Sequence, residues 1–238
     1  MPNRLSLSLS VLIAGKDEGM TIEGVVISHI QVLTSYGDRL NWEIGVLDDG
    51  STDQTPRVLQ TLQKSFPNLQ VWRNESPSGI ANAFAQLARQ ASHDWIYITS
   101  GDGQFDHNCL KTLLDHWIDR PTTTLGVRVN RYSTYTYFRS IISHFYRFLT
   151  RVAFGVDLVD PGSVKIIPRR FAIAELISKS TMRDAEQLLL SQKSHYPIEF
   201  VPIPFNPRTT GRASGAAINN ISANLVDLVR LWQHYRTT

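Results

Sequence analysis

The sequence predicts an α/β fold in which a mostly parallel sheet is flanked by helices. Short apolar, β-prone stretches alternate along the chain with amphipathic stretches of about 10 to 15 residues, which is the pattern of βαβ units. The 238 residues are 42% hydrophobic, enough to bury a full core. We predict a single domain over residues 1–216. The segment 217–238 is predicted to be an amphipathic helix that packs on this domain, on a partner or on a membrane.

The predicted elements follow one another from the beginning of the chain. Apolar or alternating runs predict strands at 5–13, 42–47, 69–72 and 95–99. Apolar residues at helical spacing predict helices at 22–33, 58–62, 79–91 and 110–117. The strand at 95–99 is short and apolar, so we expect it near the centre of the sheet, buried on both faces.

Acidic residues stand where several predicted strands end. Asp17 and Glu18 follow the first strand, in place of the glycine-rich phosphate loop of a dinucleotide-binding fold. Asp49 and Asp53 follow the second strand, and Asp102 follows the fourth. Taken singly, each could be a turn residue or a helix N-cap. Together at one sheet edge they can bind base and ribose groups, or a metal that neutralises phosphates.

Asp102 lies between two glycines at the end of the strand predicted at 95–99. The glycines allow a sharp turn and a close approach of the carboxylate to a ligand. Asp102 and the amide of Gln104 are two residues apart and offer hard oxygen ligands. Such a site suits Mg²⁺ or Mn²⁺ already carried by phosphates.

Composition excludes several classes of protein. The one cysteine, Cys109, excludes an intrachain disulfide and a zinc cluster. No run approaches the roughly 20 apolar residues of a membrane span, and the first residues lack a signal-peptide pattern, so a cytoplasmic location is expected. The net charge of +3 is too small to indicate nucleic-acid binding.

Several motifs occur in the order found in family 2 glycosyltransferases of the GT-A fold. In the first half they are Asp17-Glu18, Asp48-Asp-Gly-Ser-Thr-Asp53, Gly79-x-Ala-Asn82 and Asp102-Gly-Gln-Phe-Asp106. In the second half they are Gly126-Val-Arg-Val-Asn-Arg131, Asp160-Pro-Gly-Ser-Val-Lys165, Asp184-Ala-Glu186 and Arg208-Thr-Thr-Gly-Arg212. The sequence therefore resembles this family, and most of all its polyprenyl- or dolichyl-phosphate sugar transferases.

The resemblance implies metal-dependent, inverting transfer of a sugar from a nucleoside diphosphate sugar, with Mg²⁺ or Mn²⁺ as cofactor. The metal would be held by Asp102 and Gln104. The residues that would bind the nucleotide-sugar are Asp17, Glu18, Asp49, Ser51, Asn82 and Asp102. The residues that would face donor or acceptor phosphates are Arg128, Arg131, Arg208 and Arg212.

Two positions depart from the family pattern. Ser100 stands where the first carboxylate of an Asp-x-Asp motif is usual, which removes one negative charge near the metal. Asp17 stands where asparagine is usual. A catalytically silent nucleotide-sugar-binding subunit is therefore kept as an alternative to an active enzyme.

The acceptor is expected to be a polyprenyl phosphate at the cytoplasmic membrane face, and a soluble or glycan hydroxyl is the alternative. A lipid monophosphate is already an anionic nucleophile, whereas a hydroxyl needs a carboxylate base. Asp184 and Glu186 stand ahead of an apolar stretch predicted to be helical. We predict Glu186 as the base or acceptor contact, with Asp184 either beside it or merely complementing the helix N-terminus.

The segment 131–154 predicts a helix with an aromatic and aliphatic face beside a stripe of Arg139, Arg147 and Arg151. This pattern is typical of a helix in a membrane interface, and packing on the sheet is the alternative. For the C-terminal helix, core packing or a homodimer is preferred. The apolar face of 131–154 comprises Tyr135, Phe138, Ile142, Phe145, Tyr146, Leu149 and Phe154.

Overall fold

The structure is a computed structural model that describes residues 7–129, 137–206 and 218–236. The strands are β1 Leu7–Gly15, β2 Leu40–Asp48, β3 Leu69–Arg73, β4 Trp95–Ser100, β5 Thr123–Arg128, β6 Lys165–Pro168 and β7 Ile198–Ile203. The helices are α1 Ile22–Thr34, α2 Thr55–Ser65, α3 Ile80–Gln90, α4 His107–Trp117, α5 Tyr137–Phe154, α6 Arg169–Ile173, α7 Met182–Lys193 and α8 Ile218–Arg236. A short 3₁₀ turn, Gly37–Arg39, precedes β2.

The seven strands form one sheet in the order β3-β2-β1-β4-β6-β5-β7. Neighbouring strands are parallel except where β6 runs antiparallel to β4 and to β5. Strand β4 lies in the middle of the sheet, and its residues 96–99 are buried. The α/β fold with a mostly parallel sheet, predicted from the alternation of strands and helices, is confirmed.

The sheet separates two hydrophobic clusters, one on each face. Along β1, Leu9, Val11 and Ile13 belong to the first cluster, while Leu12 and Ala14 belong to the second. This alternation follows from the two-residue period of a strand. Helices α1, α2 and α4 cover the first face, and α3, α6, α7 and α8 cover the second.

The reversed direction of β6 decides which residues reach the functional edge of the sheet. Lys165, the first residue of β6, pairs with Ile98 near the carboxyl end of β4. The start of β6 therefore lies beside the loop that follows β4. Parallel strands alone would have placed the end of β6, not its start, at this edge.

The C-terminal helix α8 packs on the domain through Leu228 and Leu231, which are buried in the second cluster. Asp227 of this helix accepts hydrogen bonds from the backbone N–H groups of Lys179 and Ser180, at 2.8 and 2.7 Å. The domain boundary predicted at 216/217 falls outside the described residues and stays a prediction. Across the parts that the structure describes, no helix combines the length and the apolar character needed to cross a bilayer.

Candidate active site

The loops after β1, β2 and β4 meet at one edge of the sheet, as expected for parallel strands. The first two loops are bonded to each other through their polar groups. The Asp17 N–H donates to Ser51 Oγ at 2.8 Å, and Asp17 Oδ1 accepts from the Thr52 N–H at 2.8 Å. Asp17 adopts a φ of 56°, a left-handed conformation in which Asp and Asn are enriched. The buried Ser51 is therefore part of the frame that holds Asp17.

Glu18 and Asp53 complete this connection between the first two loops. The Glu18 N–H donates to Thr55 Oγ1 at 2.9 Å. Asp53 accepts from the Gly19 N–H at 3.0 Å and from the Thr55 N–H at 2.9 Å. Asp53 thus bonds to the first residue of α2 and ties the start of this helix to the turn after β1.

Asp49 is buried, and both of its carboxylate oxygens accept hydrogen bonds from the loop after β3. Its Oδ1 accepts from Asn74 Nδ2 at 2.8 Å and from the Ser78 N–H and Oγ at 2.9 and 2.8 Å. Its Oδ2 accepts from the Gly79 N–H at 2.8 Å. Burial opposes ionisation, but the hydrogen bonds from Asn74, Ser78 and Gly79 outweigh it and hold the pKa of Asp49 below its usual value. Asn82 lies one turn further on and donates to the Ser78 carbonyl at 2.9 Å.

The residues around Asp102 fit a divalent cation that is shared with a diphosphate. Asp102 Oδ1 accepts from Ser100 Oγ at 2.7 Å and from the Gln104 N–H at 3.1 Å. The Gln104 side-chain Nε2 lies 3.3 Å from the Asn206 carbonyl oxygen. Among the described residues, no three His, Cys, Asp or Glu side chains are grouped to hold a metal by themselves. One carboxylate and one hydroxyl require further oxygen ligands, and a diphosphate could supply them.

A cavity of about 480 Å³ opens beside this edge, with Ser100 in its wall. Arg128 and Asp160 form one side of it. Arg128 Nε and Nη2 lie 2.8 and 2.5 Å from the two Asp160 oxygens, and both side chains are largely buried. The Arg128 guanidinium also stacks 4.6 Å from the centre of the Phe205 ring. Arg128 is therefore fixed in the wall by a carboxylate and an aromatic ring.

Lys165 and Asp184 form a second charge pair in the same wall. The Lys165 Nζ donates to Asp184 Oδ1 and, at 3.0 Å, to the Pro161 carbonyl oxygen. Lys165 is 1% exposed, whereas the Asp184 side chain is 39% exposed and lines the cavity.

Glu186 does not reach the cavity, which corrects its expected role as the acceptor-side base. Asp184 and Glu186 do not precede the helix but lie inside α7, which begins at Met182. Residues two apart in a helix point about 200° apart. Glu186 is accordingly 1% exposed and accepts from the Ile177 and Ser178 N–H groups at 2.9 and 2.8 Å. Asp184 is the carboxylate of this pair that can contact an acceptor.

Sequence comparison assigns the chain to a known family. The family model described as "Glycosyl transferase family 2" matches residues 10–176. The chain belongs to glycosyltransferase family 2. It is a glycosyltransferase domain, as the motifs predicted.

Two curated proteins illustrate this relationship. The dolichol-phosphate mannosyltransferase of Pyrococcus furiosus is 24% identical over 180 residues, 73% of this chain and 51% of its own length. The beta-monoglucosyldiacylglycerol synthase of Synechocystis is 27% identical over 120 residues, 50% of this chain and 24% of its own length. This glycosyltransferase therefore spans about half, or less, of the length of these relatives.

Solved structures confirm the GT-A fold. A mannosyltransferase from Pyrobaculum calidifontis in complex with GDP-Man and Mn²⁺ superposes with a TM-score of 0.64 at 18% identity, over 94% of this chain and 63% of that one. The glucosyl-3-phosphoglycerate synthase of Mycobacterium tuberculosis, with Mn²⁺, UDP-glucose and phosphoglyceric acid, gives 0.65 at 16% identity, over 95% and 80%. At these identities the likeness concerns the fold.

The structure brings most of the predicted site residues of this glycosyltransferase to one edge of the sheet. Glu186 lies elsewhere, and Arg131, Arg208 and Arg212 lie outside the described residues. Lys165 and Asp160 were quoted in the resemblance without a role, yet they line the cavity. A charged residue within the apolar run Val-Lys-Ile-Ile was the signal that could have singled out Lys165.

In α5, the residues that are buried and exposed differ in part from those predicted for a helix in a membrane interface. Tyr146, Leu149 and Phe154 pack partly buried against the second cluster, and Arg147 pairs with Asp157 at 2.5 Å. Phe145 of the predicted face is exposed. The other apolar residues that α5 exposes at helical spacing, Ile141, Phe148 and Val152, were not in that face, and all four are at least half exposed. Tyr135 and the side chains of Phe138, Arg139 and Ile142 lie outside the described residues.

Asp49→Asn should lower the free energy of unfolding at neutral pH by roughly 2 to 3 kcal/mol, because an ionised, multiply bonded acceptor is lost. A lowered native pKa stabilises the fold above the unfolded-state value of about 4, and this stabilisation disappears as the pH falls below it. The difference between native protein and variant should therefore shrink in acid. Urea unfolding at pH 7 and pH 3 measures it. Asp119→Asn, at a 73% exposed side chain, is the control and should show little change at either pH.

Proposed function

We propose that this glycosyltransferase transfers a sugar from a nucleoside diphosphate sugar to a polyprenyl phosphate at the cytoplasmic face of a membrane, with inversion and with a divalent metal. The observation that best supports a phosphate acceptor is the balance of acidic and basic side chains in the lining of the cavity. Its described lining includes two acidic side chains, Asp160 and Asp184, and both are paired with cations. The basic side chains of the lining are twice as many: Arg128, Arg147, Lys165 and Arg183. Of these, Arg147 is also paired with a carboxylate, Asp157, which lies outside the lining.

This balance favours an acceptor that arrives with its own negative charge. A phosphate monoester carries a charge of about −1.5 to −2 at pH 7 and needs positioning more than deprotonation. An excess of basic side chains in a half-enclosed cavity attracts such a group. Asp184, the carboxylate that could serve a hydroxyl acceptor, is in contrast already engaged by the Lys165 ammonium.

The donor is proposed to bind along the edge formed by the loops after β1, β2 and β4. Asp17 and Glu18 would contact the nucleoside, since the backbone of both is held by the loop after β2. Asp49 would act indirectly, by fixing the loop that ends at Gly79 against this edge. Asp102, with Gln104 beside it, would hold Mg²⁺ or Mn²⁺, which when bound acts as a Lewis acid on the leaving diphosphate.

A hydroxyl acceptor is the second candidate, favoured by one observation. Asp184 is the partly exposed acid in the cavity wall, so it could approach an acceptor hydroxyl as a base. A silent binding subunit is the third, because Ser100 replaces a carboxylate near the metal. Turnover separates these candidates.

We expect UDP or GDP with Mn²⁺ to raise the melting temperature by more than either nucleotide does alone. A ligand at about 100 times its Kd adds roughly 2.7 kcal/mol, or about 5 to 10 °C for a domain of this size. Asp102→Asn should lose the Mn²⁺-dependent part, because a near-isosteric amide replaces the charge. The unliganded melting temperature of the variant is the control for its fold. An unchanged Mn²⁺ effect in the variant would remove Asp102 from the metal site.

Transfer itself is tested with labelled nucleotide-sugars, Mn²⁺ and a short-chain prenyl phosphate. We expect label to pass into organic solvent. Label that appears only on a water-soluble glycan would favour the hydroxyl acceptor. Donor binding without turnover on either acceptor would favour the silent subunit. In that case Ser100→Asp, which restores the missing carboxylate, is the variant in which to look for a gain of activity.

Contact with the membrane is proposed through the exposed residues of α5, on the same helix that lines the cavity with Tyr146 and Arg147. Phe145 and Phe148 are 51% and 61% exposed. Exposed Arg151 lies beside them and would add about 1 kcal/mol near an anionic surface.

In flotation with anionic liposomes, we expect binding that salt weakens but does not abolish. Phe145→Ser/Phe148→Ser should lose the salt-resistant part, since insertion of the rings is apolar. Phe200→Ser, at a 44% exposed ring on β7, is the matched control and should float like the native protein. Native protein that stays unbound at low salt would contradict the membrane contact.

A further inference from the structure

Lys165 is a fully buried cation at the functional edge of the sheet. It is 1% exposed and opens the strand β6. It pairs with Ile98, two residues before Ser100, and Ile98 and Ile167 both belong to the second cluster. Because side chains alternate along a strand, Ser100 and Lys165 are directed to the same face, where both line the cavity.

The contacts of the Lys165 ammonium leave it able to bind one more group. An ammonium has three N–H donors. Within the described residues, its hydrogen-bond acceptors are Asp184 Oδ1 and the Pro161 carbonyl oxygen. Burying a cation is costly unless it is paired and fully bonded. The position of Lys165 in a cavity wall is therefore best explained by a ligand that also bonds to it.

The two charge pairs of the cavity differ in how easily they open. Arg128 and Asp160 are joined by two parallel hydrogen bonds and are 12% and 3% exposed, so neither can leave the other for water. Lys165 contacts one oxygen of Asp184, whose side chain is 39% exposed. When Asp184 is displaced, water can solvate it, whereas Lys165 must find another anion.

We propose that Lys165 binds a phosphate oxygen of a substrate in this cavity, and that Asp184 is the counter-ion which this phosphate displaces. The inference rests on the proposed function in one respect, that the phosphate is the monoester of the acceptor. The diphosphate of the donor is the other source of the same chemistry. Asp184 then acts as a competitor that holds the Lys165 side chain in place until a phosphate arrives.

The test is a double variant that removes both charges, Lys165→Met/Asp184→Asn. It is compared with the single variant Asp184→Asn, which removes only the competing carboxylate. The double variant keeps the net charge, so a change in binding reports the contact and not the overall field. Replacing a buried ion pair by neutral side chains is often tolerated. Two probes are titrated by calorimetry: geranyl phosphate for the acceptor, and UDP or GDP with Mn²⁺ for the donor.

We expect the double variant to bind geranyl phosphate about 10- to 100-fold more weakly than the native protein, the range for one hydrogen bond to a charged group. Asp184→Asn alone should bind it more tightly, because the competing carboxylate is gone. The same pattern confined to the nucleotide titration would assign Lys165 to the donor diphosphate. A folded double variant that binds both probes like the native protein overturns the proposal.

The remaining outcomes separate this inference from the proposed function. Native protein that binds the nucleotide but not geranyl phosphate defeats the lipid phosphate acceptor, and the nucleotide titration then decides the role of Lys165. Native protein that binds neither probe defeats both. If the double variant does not fold, Asp184→Asn decides: no tightening for either probe overturns the exchange of partners.

Discussion

The conformation of the loop after β2 depends on carboxylates that accept hydrogen bonds from backbone N–H groups. The arrangement of the functional edge of the sheet depends in turn on that loop. Asp48 accepts from Ser51 within the loop, Asp53 from Gly19 of the loop after β1, and Asp49 from Ser78 and Gly79 of the loop after β3. Hydrogen bonds to charged groups are roughly twice as strong as those between neutral groups. Three neighbouring loops are thereby held in one arrangement. The Asp-Asp-Gly-Ser-Thr-Asp motif is first of all a structural clamp, and in the proposed function Asp17 and Asp102 are the acids that meet the donor.

The half of the sheet that contains β5 and β6 contributes ion pairs to the functional edge, whereas the other half contributes hydrogen-bonded loops. Antiparallel β6 brings Lys165 to the edge where β4 ends, and β5 brings Arg128 there from its own carboxyl end. Each cation meets an acid, Asp184 or Asp160, in the wall of one cavity. The edge formed by the loops after β1, β2 and β4 is thus acidic and rich in hydrogen bonds, while the lining of the cavity has more basic than acidic side chains.

The cavity and the exposed apolar residues share the helix α5. Tyr146 and Arg147 face the cavity, while Phe145 and Phe148 face outward. Adjacent residues of a helix point about 100° apart, so one helix can serve both surfaces. This arrangement is consistent with a phosphate held inside the domain and an apolar tail that leaves along the outer face of α5.

The sequence by itself determined the α/β fold, the central position of β4 and the acidic edge, because hydrophobic periodicity and the acids at strand ends are local signals. It also determined the family, through motifs that survive in order. It could not show that Asp49 is occupied by the loop after β3, since that loop lies 25 to 30 residues further along the chain. Nor could it separate Asp184 from Glu186, because a helix starting at Met182 turns one to the cavity and the other to the core. The position of Lys165 was decided by the tertiary structure alone: only the reversal of β6 brings a lysine from an apolar run to the edge where β4 ends, buried beside Asp184.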